Sequence, residues 1–87
     1  MDIPVLMRVK TELPSSLILG YANGETRRFE CDPYFGRGVF GRLRDPVLFS
    51  QAHLAHGTVC WPGGLDIAPE TLYQHSVPAP AREAVSP

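Results

Sequence analysis

The chain has little of several things, and each shortage excludes a class of protein. Two cysteines, Cys31 and Cys60, are too few for a disulfide scaffold. No apolar run approaches the roughly 20 residues of a membrane span, so no membrane partner is expected. The net charge is only −1, which argues against coating nucleic acid by bulk charge. The first residues hold Asp2 and no basic-then-apolar pattern, so no secretory signal is expected. A cytoplasmic location with reduced thiols follows. Eighty-seven residues leave room for one core.

What is present describes a globular domain. The chain is 44% hydrophobic and 20% charged, unlike a disordered segment. Nine prolines and eight glycines predict short elements and frequent turns. The charges are unevenly spread. Residues 27–44 hold Arg27, Arg28, Arg37, Arg42 and Arg44 against Glu30 and Asp32, a net +3. Residues 45–75 hold Asp45, Asp66 and Glu70 with no Lys or Arg, a net −3.

Residues 3–10 predict a strand, with Ile3, Val5, Met7 and Val9 alternating with Pro4, Leu6, Arg8 and Lys10. Asn23-Gly24 lies between strand-like runs at 17–22 and 25–31 and suits a two-residue type I′ hairpin turn. That turn sets Leu19 opposite Arg28 and leaves both faces partly apolar. Either both faces are covered, or a bulge shifts the register by one. Asp32-Pro33 and Asp45-Pro46 are helix-start pairs, Asp as cap and Pro as first helical residue. Gly36, Gly38 and Gly41 make the stretch to Arg44 a loop. Residues 52–54 and 58–61 predict a second hairpin around His56-Gly57, ended by Pro62-Gly63-Gly64. Pro69 then opens a helix whose inward residues are Leu72 and Tyr73.

The fold class is therefore α+β. The expectation is a small antiparallel sheet of about five strands, from two hairpins plus the N-terminal strand, with two or three short helices. Residues 1–75 form the single domain, and 76–87, rich in Pro and Ala, are a disordered tail. An open sheet of this kind has two edges, and a homodimer along one of them is a common remedy.

The chemistry-bearing residues are sparse. His53, His56, Cys60 and Cys31 suggest a metal site or a Cys–His pair, but the close ligand spacing of structural zinc is missing, so no metal is expected. No nucleophile elbow or phosphate-loop pattern is present, so no catalytic residue and no cofactor is expected, and the protein is not expected to be an enzyme. The five arginines of 27–44, interleaved with Phe29, Tyr34, Phe35 and Phe40, are the candidate binding surface. A guanidinium presents a planar fork to carboxylate or phosphate. A protein partner fits a chain without net positive charge better than nucleic acid, which is the alternative.

A family pattern runs through the same residues. It comprises Leu17, Leu19, Tyr21, Asn23-Gly24-Glu25, Asp32-Pro33, Phe40, Leu43, Asp45 and Phe49. It ends in Trp61-Pro62-Gly63-Gly64, Asp66, Pro69, Leu72 and Tyr73. Over residues 3–75 the chain resembles the bacterial family called domain of unknown function 2442. The resemblance implies a small α+β domain without established catalytic residues, whose members are often encoded beside a small toxin-antitoxin-like family. It implies an antitoxin-like or regulatory partner of a neighbouring small protein. The helix-turn-helix extension of some members has no counterpart here, where the text is the proline-rich tail. Trp61 and Tyr73 join the arginines as candidate partner-binding residues, being types enriched at binding hot spots.

Overall fold

The turn at Asn23-Gly24 sets the register of everything paired to it. The computed structural model describes residues 3–80. Gly24 N–H donates to the Tyr21 carbonyl at 3.0 Å, and Tyr21 N–H to the Glu25 carbonyl at 2.9 Å. Gly24 has φ +91°, and Asn23 does not share the left-handed conformation. This is a three-residue loop, a type I turn closed by a glycine bulge, in place of a two-residue type I′ turn. The extra residue moves the pairing by one. β2, Ser16–Tyr21, meets β3, Thr26–Glu30, with Leu17 opposite Phe29 and Leu19 opposite Arg27. Leu17, Leu19, Tyr21 and Phe29 thereby share one core face. Of the two registers left open by the sequence, the bulged one forms.

β1, Leu6–Glu12, pairs with β2 and carries a bulge between Leu6 and Arg8. The bulge reverses the alternation expected from Val5 and Met7. Leu6 is buried, whereas Val5 is 64% and Met7 56% exposed. From Arg8 onward the strand is back in step, and half-buried Val9 lies opposite Leu19 on the core face.

The second hairpin has the turn expected at the first. His56 and Gly57 both take positive φ, +53° and +78°, so a two-residue turn joins β4, His53–Ala55, to β5, Thr58–Trp61. β6, Leu65–Asp66, extends this sheet on the far side of β5.

The strands form two sheets rather than one of five. β1-β2-β3 gain a fourth strand, β7, Val77–Pro78, and β4-β5-β6 stand apart. Phe35, Leu43 and Phe49, from the segment between the hairpins, pack into one core with residues of both sheets. β6 and β7 have two residues each, too short to show a period of two. Ser76 is buried and Val77-Pro78 pair with Arg28 and Arg27. The folded body therefore runs past the boundary expected at 75, because the Arg27 guanidinium bonds Ser76. The rest of the expected tail, 81–87, lies outside the described residues.

The helices are short. Asp45 caps α1, Pro46–Phe49, accepting Val47 N–H at 3.0 Å, as its pairing with Pro46 predicts. Asp32 does not cap: it lies inside a 3-10 turn, Asp32–Tyr34, whose cap position is Cys31. The glycine-rich stretch is also ordered, as a 3-10 helix over Gly38–Arg44. α2, Pro69–Gln74, begins with proline as expected and buries Leu72. No helix among the described residues is long and apolar enough to cross a membrane.

The core centres on Phe29, Phe49 and Trp61. Phe49 stacks on Trp61 with ring centroids 6.0 Å apart. Full burial of a side chain of this size contributes on the order of 2–3 kcal/mol. Thr58 Oγ1 donates to the Ile67 carbonyl at 2.5 Å and ties the strand ends below them.

The two turns make opposite predictions. Gly24→Ala should lower stability by about 1–2 kcal/mol, the left-handed penalty of an L-residue. Asn23→Ala should cost less, since the two bonds lost, from Glu25 N–H and to the Glu25 carboxylate, are both exposed to solvent. His56→Asn should raise the melting temperature, because asparagine suits the first position of a type I′ turn. Urea and thermal unfolding of the three variants check this.

Candidate interaction surface

The five arginines of 27–44 do not act together. Arg27 and Arg28 are consecutive in β3 and point to opposite faces. Arg27 is largely buried at the edge of the core. Its Nε donates to Ser76 Oγ at 2.6 Å, its Nη2 to the Ser76 carbonyl at 2.8 Å and its Nη1 to Glu25 at 2.9 Å. Its guanidinium also lies 4.6 Å from the centre of the Tyr73 ring. Arg28 lies on the outer face and pairs with Glu12 at 2.8 Å. A half-exposed pair of this kind contributes about 0–1 kcal/mol.

Tyr73 belongs to the same clamp as Arg27. Its hydroxyl donates to Glu25 Oε2 at 2.5 Å, and the Asn23 amide donates to the same oxygen at 2.6 Å. Its ring meets Tyr21 edge-on at 5.1 Å. These donors, Tyr73 first, hold the Glu25 carboxyl below its ordinary value, and the bond to Glu25 holds the Tyr73 phenol above its own. Burial pushes the Tyr21 phenol up to about 12, against the opposing charge of Arg27. Trp61 is 2% exposed, and its indole N–H donates to the Phe49 carbonyl at 2.9 Å. Tyr73, Trp61 and Arg27 thus all have internal partners.

The remaining arginines lie on one exposed segment. Arg37 covers the Tyr34 ring at 5.1 Å. Arg42 lies over the β5–β6 turn: a Cβ added at Gly63 would be 2.9 Å from its Nη2. Arg44 follows at the end of the 3-10 helix. All three are exposed, and none makes an ion pair among the described residues. Val39 and Val47, on the same segment, are 58% and 67% exposed. Leu43, Phe35 and Phe49 pin the segment to the core from beneath. Nothing in the sequence marked Val39 and Val47 as exposed.

A groove of about 290 Å³ opens beside this segment, on the outer face of the three-stranded sheet. The pairing sets His53 opposite Cys60 and Cys60 opposite Asp66, so the three share that face. His56, Ala55, Gly64, Trp61 and Leu65 complete the walls. The two-residue turn at His56-Gly57 makes the His53–Cys60 pairing readable from sequence; the Asp66 pairing depends on the unpredicted β6. Burial first, then the Asp66 charge, pushes the Cys60 thiol up. Cys31 takes no part in the groove: it is buried in the core, and burial pushes its thiol up to about 12. Among the described residues no group of three or more His, Cys, Asp or Glu is arranged to hold a metal ion.

The motifs that outline this architecture carry a family assignment. The model of a family described as Protein of unknown function (DUF2442) matches residues 6–78. The chain belongs to that family. No curated protein and no solved structure matches it.

The clamp has a pH signature. A carboxyl held low in the folded state stabilises above its unfolded value, near 4.5, and loses that contribution as pH falls through the folded value. Glu25→Gln should therefore flatten the fall of melting temperature on acidification. Glu30 keeps a share of the effect: burial raises its carboxyl, but bonds from Ser15, Ser16 and the Asp32 N–H outweigh burial. A Glu25→Gln melting curve as steep in acid as the parent's would remove Glu25 from this role.

Proposed function

We propose that this protein is a non-enzymatic protein-interaction module, an antitoxin-like or regulatory partner of a neighbouring small toxin-like protein. One observation carries this: Arg37, Arg42 and Arg44 are exposed, without ion pairs among the described residues, beside exposed Val39 and Val47 on a segment pinned to the core. Unneutralised guanidiniums next to apolar side chains match an acidic protein surface with an apolar centre. Phe35, Leu43 and Phe49 anchor the segment in the core, so docking orders less chain than it would on a free loop.

Nucleic acid is the weaker partner for this surface. Single-strand binders stack bases on exposed aromatic rings. Here the aromatic side chain on the segment, Phe40, is half-buried against the core, and Tyr34 lies between Phe29 and Arg37.

Co-expression with the adjacent small protein, followed by affinity capture, tests the proposal. A complex is expected at micromolar concentration, and its absence overturns the proposal. Arg42→Glu with Arg44→Glu should weaken the complex by at least tenfold while leaving the melting temperature of the free protein within a few degrees. Binding to nucleic acid instead, with affinity falling steeply as salt rises, would replace the protein partner.

A further inference from the structure

The groove on the three-stranded sheet lies against two core residues, Trp61 and Leu65, and adjoins the arginine segment. Gly63 lies under the Arg42 guanidinium, and the next residue, Gly64, lines the groove. We propose that the groove is the anchor pocket of the docking surface. It takes one aromatic side chain from an extended segment of the partner, whose neighbouring carboxylate is held by Arg42. This rests on the reading of the protein as an interaction module and names the recognition element of its partner.

Size, walls and charge support this occupant. About 290 Å³ is at the small end of ligand sites, enough for one large side chain. Half-buried Ala55 and the edges of the core residues Trp61 and Leu65 supply the apolar part of the wall, and the exposed rings of His53 and His56 flank it. Asp66 is also in the wall, so a second carboxylate inside the groove would be repelled. The acidic residue of the partner therefore falls outside, at the rim, where Arg42 has no ion pair among the described residues. A guanidinium there donates two parallel bonds to a carboxylate without breaking an ion pair. An aromatic anchor in a pocket beside such a pair is the usual make-up of a binding hot spot.

The test is selection of a displayed library of random short peptides against the full chain, with binding mapped by amide NMR shifts. The expected consensus is Trp, Phe or Tyr adjacent to Asp or Glu. Shifts should concentrate at Cys60, Gly63, Gly64 and Asp66. Replacing the aromatic residue of the selected peptide by alanine should weaken binding at least tenfold, a measurement that needs no protein variant. Arg42→Ala should weaken it about tenfold, in line with a lost charge-assisted bond. No binder, peptides without an aromatic–acidic pair, shifts mapping elsewhere, or an unchanged affinity in either substitution overturns the anchor pocket. None of these outcomes touches the interaction module, which falls only if the neighbouring protein fails to bind.

Discussion

Trp61 brings one obligatory polar atom into the core, and the placement of the surface depends on how that atom is satisfied. A buried indole N–H without a partner would cost about 1–3 kcal/mol. Its acceptor is the carbonyl of Phe49, the last residue of α1, whose ring also stacks on the indole. The bond joins the small sheet to the segment between the hairpins. With α1 fixed, the 3-10 helix before it is fixed too, and Leu43 turns inward. The arginines and valines of the segment are then left facing outward. A contact between two core residues thus sets the geometry of an exposed surface.

Local chemistry was legible where a residue type has a single strong preference. Pro46 after Asp45, Pro69 at a helix start and glycine after His56 all stand where these preferences put them. The α+β class followed from such local signals. Parity was not legible. One bulge at Gly24 and another in β1 each shift the pattern by one residue, and a single inserted residue leaves no mark on composition. The assembly into two sheets was hidden for a different reason. Both sheets contribute to one core together with Phe35, Leu43 and Phe49, and contacts so distant in sequence carry no periodic signal.

The candidate surface was legible by half. Arginine density pointed to residues 27–44, and Arg37, Arg42 and Arg44 do lie exposed there. Arg27 and Arg28 looked equivalent in the text because strand alternation separates neighbours only once the register is known. Trp61 and Tyr73 carried the chemistry of hot spots, but a large aromatic in so small a chain is needed for the core. The charge split survives in altered form. Two of the five arginines pair with Glu12 and Glu25, which precede them in sequence, and the three without an ion pair among the described residues lie on one segment.

The bonds from Arg27 to Ser76 span 49 residues of chain. Linking such distant positions requires closing a long loop, a larger entropic cost than the short connections of β1, β2 and β3. A two-residue edge strand is also among the first elements to open in the native state. The same guanidinium bonds Glu25 in the first turn, so opening at the C-terminal end loosens the restraint on that turn. A single arginine side chain is thus bonded both to the Asn23-Gly24 turn and to the residue that leads into the C-terminal strand.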